Sequence, residues 1–135
     1  MFGPTQYTSI DGNKYGFVIV DDYTRYTWAF FLVDKSDVFV TSKSFVKGIH
    51  NKFETTIKRV RSDNGSEFKN IRIDDLYDEF VIRHRFLVKY IPQSNGLVEK
   101  KNRTLIDMAR FMLSEYNVSH SFWAEAIKTT CYYIN

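Results

Sequence analysis

Two runs of strand-forming residues lie back to back near the start of this chain, and they restrict what it can fold into. Residues 15–22 carry Phe17-Val18-Ile19-Val20, apolar at every position, which predicts a strand buried on both faces. Only Tyr23-Thr24-Arg25 separates it from a second, aromatic-rich run over residues 26–33, so the two are expected to pair as a hairpin. Asp11-Gly12-Asn13 marks a turn ahead of them. The period then changes. Val38, Phe45, Val46, Ile49 and Phe53 recur at helical spacing, with Ser36 as candidate cap and Asp37 in the first turn, predicting a helix over residues 37–53. A short strand over 57–61, a helix over 72–80 and a strand over 83–88 follow. Residues 91–95 read as a polar loop. Helices are expected over 96–115, ended by Asn117-Val118-Ser119, and over 121–135. Alternating strands and helices of this kind define an α/β chain.

Composition narrows the class. A chain of 135 residues with 44% hydrophobic and 17% aromatic residues can build one core and is not disordered. No apolar run approaches the roughly 20 residues that span a bilayer, so no membrane partner is expected. Met1-Phe2-Gly3-Pro4 lacks the basic start and apolar stretch of a signal peptide. The single cysteine, Cys131, excludes an internal disulfide and fits a reducing compartment. His50, His84 and His120 have no Cys or His at metal spacing, so a structural zinc site is not expected and His84 reads as a strand or surface residue.

Charge carries more in its distribution than in the net +3. Residues 62–80 hold six acids against two bases, whereas 81–103 hold six bases against one acid, Glu99. Asp74, Asp75, Asp78 and Glu79 read as the wet face of a short helix. Asp63, in Arg61-Ser62-Asp63-Asn64-Gly65, stands at the carboxyl end of a predicted strand, where ligands gather in open α/β sheets. Alone, it reads as a turn residue. Thirty-five residues separate it from Glu99. On the 96–115 helix, Glu99, Asn102, Arg103 and Arg110 fall on one side, and Leu97, Val98, Leu105, Met108 and Met112 on the other. Lys101 lies on the apolar side, from which its long stem can snorkel. Carboxylate oxygens are ligands for hard divalent cations, and a lone acid amid bases suits an anionic polymer held beside a cation. Trp28, Trp123, Phe122, Ala126, Ile127 and Cys131 read as core.

These segments together resemble the integrase catalytic core of Ty1/copia-type LTR retrotransposons, in the retroviral integrase superfamily. The resemblance rests on Tyr15-Gly16-Phe17-Val18-Ile19-Val20-Asp21-Asp22-Tyr23-Thr24-Arg25, on Arg61-Ser62-Asp63-Asn64-Gly65-Ser66-Glu67-Phe68, on Pro92-Gln93-Ser94-Asn95-Gly96-Leu97-Val98-Glu99-Lys100-Lys101-Asn102-Arg103 and on Phe122-Trp123-Ala124-Glu125-Ala126. It implies an RNase H-like fold, a five-stranded mixed sheet flanked by helices. It implies a D,D-35-E site binding two Mg²⁺ or Mn²⁺ ions, with Asp63 and Glu99 as catalytic and metal-ligating residues. It implies 3′-end processing and strand transfer of DNA, with element ends and target DNA as partners, a homo-oligomeric intact protein and nuclear action. Gln93 and Asn95, in a loop at the DNA end, and Lys100, Lys101 and Arg103 are the implied DNA-binding residues.

The first Asp of the family pattern precedes a segment that matches Met1-Phe2-Gly3-Pro4, so it falls outside this chain. The expectation is a partial core domain over residues 1–135, truncated at both ends, with most of the first strand missing, marginal in stability and catalytically incomplete. Asp21 and Asp22 are not expected to substitute. Two other readings stand beside it: an RNase H-type nuclease on the same fold, and a decayed or repurposed remnant that binds DNA or oligomerises.

Overall fold

A computed structural model describes residues 1–87 and 92–135, with side chains in the second segment described from residue 96. The backbone forms two compact units, residues 1–34 with 96–135, and residues 35–95.

In the first unit, β1 (Tyr15–Val20) and β2 (Thr27–Leu32) form the expected antiparallel hairpin, registered Tyr15↔Leu32 through Val20↔Thr27. Asp21 closes the connection: its Oδ2 accepts from Thr24 Oγ1 at 2.7 Å and its Oδ1 from the Tyr23 amide at 3.2 Å. Phe2 adds a single antiparallel bridge to Gly16, with both main-chain bonds made (2.9 and 3.0 Å). Helix α3 runs Pro92–Glu115, starting four residues earlier than the sequence reading placed it. Residues 92–95, read as loop, are helical because Pro is favoured in a first helical turn, where its missing N–H costs no bond. Ile91 and Val88 lie outside the described residues. The helix ends at Asn117, which adopts φ 52°, with the Val118 amide donating to Leu113 (2.9 Å) and the Asn117 amide to Ser114 (3.2 Å). That left-handed residue with its paired bonds satisfies the last carbonyls. After a 3₁₀ turn at His120–Phe122 comes α4 (Trp123–Ile134).

The core of this unit joins Val18 to Leu105, Ala109 and Leu113 of α3 and to Trp123, Ala124, Ala126, Ile127 and Cys131 of α4. Two expected core residues are instead exposed, Met108 (40%) and Phe122 (39%). The buried stripe of α3 runs through 105, 109 and 113, one residue round from Met108. Phe122 is in the 3₁₀ turn rather than in α4, so it does not share the helix's inward face. Trp28 is half-buried, while Trp123 is buried and donates Nε1–H to the Tyr7 carbonyl at 2.8 Å.

The second unit holds α1 (Asp37–Phe53), β3 (Arg59–Ser62), α2 (Ile71–Glu79) and β4 (Arg83–Phe86). Ser36 does not cap α1 through its side chain; it is already helical, at φ −64°, and the Val38 amide bonds to Lys35 instead. Asn70, unread in the sequence, caps α2 by accepting from the Ile73 amide at 3.0 Å. β3 and β4 pair in parallel, Arg59↔Arg83 through Ser62↔Phe86. Val46, Ile73, Leu76, Tyr77 and Ile82 form the core, and the acids of α2 are exposed as expected.

Among the described residues the strands form two two-stranded sheets, β1 with β2 and β3 with β4, rather than the single five-stranded sheet the resemblance implies, and the Phe2 bridge adds to the first. Among the described residues no helix is long and apolar enough to cross a membrane.

Candidate functional site

Asp63 directly follows β3 and is exposed. Its Oδ1 accepts from the Gly65 amide at 2.8 Å, the local turn that Asp-Asn-Gly predicts. That bond commits one carboxylate oxygen. No other hydrogen bond to the carboxylate is found among the described residues, and the residue is exposed. The next turn is sealed by the Phe68 and Lys69 amides, both donating to the Gly65 carbonyl (3.0 and 2.9 Å). A side-chain carbon at Gly65 would lie 2.6 Å from the Glu67 carboxylate oxygens, the end of a flexible side chain that could turn aside.

Glu99 is exposed on α3, in the first unit. It shares a shallow open face with Asn102, Arg103, Ile106, Asp107 and Arg110. Positions 99, 103 and 110 lie within about 40° of one another at 100° per residue. Arg103 and Arg110 are exposed there, so the face offers one carboxylate beside two guanidinium groups. Asn102 Oδ1 is buried without a hydrogen-bond partner.

The basic candidates do not all share this face. Lys100 is exposed on its flank. Lys101 is half-buried on the opposite side, and its charge is felt at the Cys131 thiol. That thiol is pushed above its ordinary value, chiefly by burial; its Sγ–H meets the Thr27 carbonyl at 3.2 Å. It is a core group, not a nucleophile. Gln93 and Asn95 are in the first turn of α3, and their side chains lie outside the described residues.

Asp21 is committed elsewhere. The bonds from Thr24 and Tyr23 hold its carboxyl below the usual carboxylate range. Among the described residues no group of three or more His, Cys, Asp or Glu side chains is placed to hold a metal ion. The donor chemistry of Asp63 and Glu99 nonetheless suits a hard cation: both are exposed carboxylates. His84 lies in β4, one of the places the sequence reading gave it, but its contact with Ser62 was not read. Ser62 is buried beside Asp63, and His84 contacts it (2.7 Å). The only signal was a serine immediately before the acid.

The structure defines the class as an α/β protein with one exposed carboxylate at the end of β3 and another on α3. More particularly, the integrase core domain family matches residues 2–92, and the chain belongs to that family. Its relatives are retrotransposon polyproteins. It is 37% identical over 133 residues to the Retrovirus-related Pol polyprotein from transposon TNT 1-94 of Nicotiana tabacum, covering 98% of this chain and 10% of that one. It is 37% identical over 127 residues to the Pol polyprotein from transposon RE2 of Arabidopsis thaliana, covering 94% and 9%. It is 26% identical to the Ty1-DR4 Gag-Pol polyprotein of Saccharomyces cerevisiae, over 95% and 8%. The chain thus spans about a tenth of the length of these relatives. Among solved structures it resembles a chain of the simian T-cell lymphotropic virus intasome in complex with a PP2A regulatory subunit. The TM-score is 0.73 at 20% identity, covering 97% of this chain and 45% of that one. The fold is that of a retroviral integrase core, RNase H-like, and the family's role is DNA integration.

Proposed function

We propose that this chain is the catalytic-core portion of a retrotransposon integrase, acting on the ends of element DNA and on target DNA in the nucleus. The observation that carries this reading is the match of the integrase core family across residues 2–92, with Asp63 exposed at the end of β3. Asp63 and Glu99 would each offer carboxylate oxygens to divalent cations, Mg²⁺ or Mn²⁺. Bound cations of this kind activate an attacking oxygen and stabilise a leaving one in phosphodiester chemistry. The Gly65 amide donates to the Asp63 carboxylate at Oδ1. Arg103 and Arg110 seat the phosphate backbone, the sequence-independent share of DNA affinity. Lys100 extends this contact along the flank.

A second reading has an observation of its own. Asp63 and Glu99 would supply only two ligands, and no group of three forms among the described residues. The polypeptide of these 135 residues, by itself, is therefore proposed to bind DNA without joining it. The test compares this chain with Asp63→Asn and Glu99→Gln on labelled duplex DNA in Mg²⁺ or Mn²⁺, with an RNA–DNA hybrid alongside. Binding without strand transfer is expected. Strand transfer above the Glu99→Gln level would overturn the incompleteness. Cleavage of the hybrid alone would favour the nuclease, and loss of all duplex binding would overturn the DNA assignment.

A further inference from the structure

Ser62 is the last residue of β3 and is 8% exposed. Its Oγ lies 3.0 Å from the Asp63 carbonyl oxygen and 2.7 Å from His84 Nε2. A hydroxyl carries one proton, and a carbonyl only accepts. Ser62 therefore donates to the Asp63 carbonyl, and His84 donates Nε2–H to Ser62. The register explains the reach. His84 pairs with Val60, two residues before Ser62, so both side chains serve one face of the parallel ladder. The imidazole packs against two rings, Tyr77 edge-on at 4.9 Å and Phe86 tilted at 4.3 Å. Its Nδ1 is buried and has no hydrogen-bond partner. An aromatic ring alone would fill this space. The donor nitrogen aimed at Ser62 is what packing does not require.

The result is that Asp63 is tied twice, at its carbonyl by Ser62 and at its carboxylate by the Gly65 amide. We propose that His84 is a positioning residue for Asp63, acting through the Ser62 hydroxyl to fix the peptide from which the carboxylate projects. Its catalytic meaning rests on the reading of Asp63 as a metal ligand, but the geometry stands without it.

The test uses the full 135-residue chain and three variants, Ser62→Ala, His84→Phe and His84→Gln. Phe keeps the ring and removes the donor; Gln places an amide N–H near the position of Nε2. The first readout is hydrogen exchange at the Gly65 amide, which reports the Asp63 carboxylate directly. Ser62→Ala and His84→Phe should speed that exchange about three- to tenfold, the worth of one hydrogen bond, while leaving the Ile73 amide of α2 unchanged. His84→Gln should stay within about twofold of the parent, since its donor is restored. Parent-like exchange in His84→Phe would overturn the proposal. So would faster exchange at Gly65 and Ile73 together in all three variants, which would mean general loosening. The second readout is Mn²⁺ alone, titrated by water-proton relaxation against Asp63→Asn. Severalfold weaker binding in Ser62→Ala and His84→Phe is expected. If the parent and Asp63→Asn bind Mn²⁺ alike, the ligand reading of Asp63 fails, and exchange at Gly65 still decides the role of His84.

Discussion

The face of α3 makes a quantitative prediction about salt. Arg103 and Arg110 are exposed on the same face as Glu99, whereas Lys101 is half-buried near Cys131. Each phosphate neutralised contributes about 0.9 to the slope of log K against log salt for duplex DNA. Arg103→Ala and Arg110→Ala should therefore each flatten the slope by about 0.9, and the double variant by about 1.8. Between roughly 50 and roughly 200 mM salt, the parent should then lose about 12-fold more affinity than the double variant. Lys101→Ala should leave the slope nearly unchanged. Alanine is at least as good a helix former as arginine, so α3 itself survives these changes. The assay is fluorescence anisotropy of a labelled duplex at several salt concentrations. A slope change for Lys101→Ala equal to that for Arg103→Ala would refute the assignment of faces.

Other measurements probe the scaffold. Leu105 is fully buried between β1 and α4, and Leu105→Ala should cost about 2–5 kcal/mol in urea unfolding; a loss under about 1 kcal/mol would mean α3 is not packed as described. Gly16→Ala would drive a methyl into the Phe2 ring, displacing the bridge at a cost of about 1–3 kcal/mol, and an unchanged melting temperature would count against the close approach. Burial holds His84 below its ordinary value of 6.5, an effect the Asp74 carboxylate partly opposes. Above that value both folded and unfolded imidazole are neutral and stability is complete. Below it the unfolded chain takes up a proton that the folded chain resists, so stability falls until the folded value is passed. His84→Gln should remove this part of the acid limb in a pH series of unfolding curves, and superimposable curves for parent and variant would contradict it.

Much of the architecture was legible in local pattern. The apolar run at residues 17–20 and the helical spacing from Val38 to Phe53 gave β1 and α1 almost to the residue, because burial imposes a period on the sequence. Asp-Asn-Gly announced the turn at Asp63. What failed was what a one-dimensional period cannot resolve. A rotation of one residue separates Met108, which is exposed, from Ala109, which is buried. The first turn of α3 looked like loop because polar residues and proline there satisfy a helix start as well as they satisfy a coil.

The order of segments, the two acids 35 residues apart and the basic run around Glu99 were fixed by the sequence itself, since composition and spacing do not depend on folding. The tertiary structure kept Arg103 and Arg110 exposed beside Glu99 and left Lys101 half-buried, as the helical period had placed them, and added only the depth of that burial, which depends on packing. It alone brought His84 to Ser62, 22 residues apart, through the parallel pairing of β3 and β4. Hydrogen bonds across a ladder join residues that no local period relates.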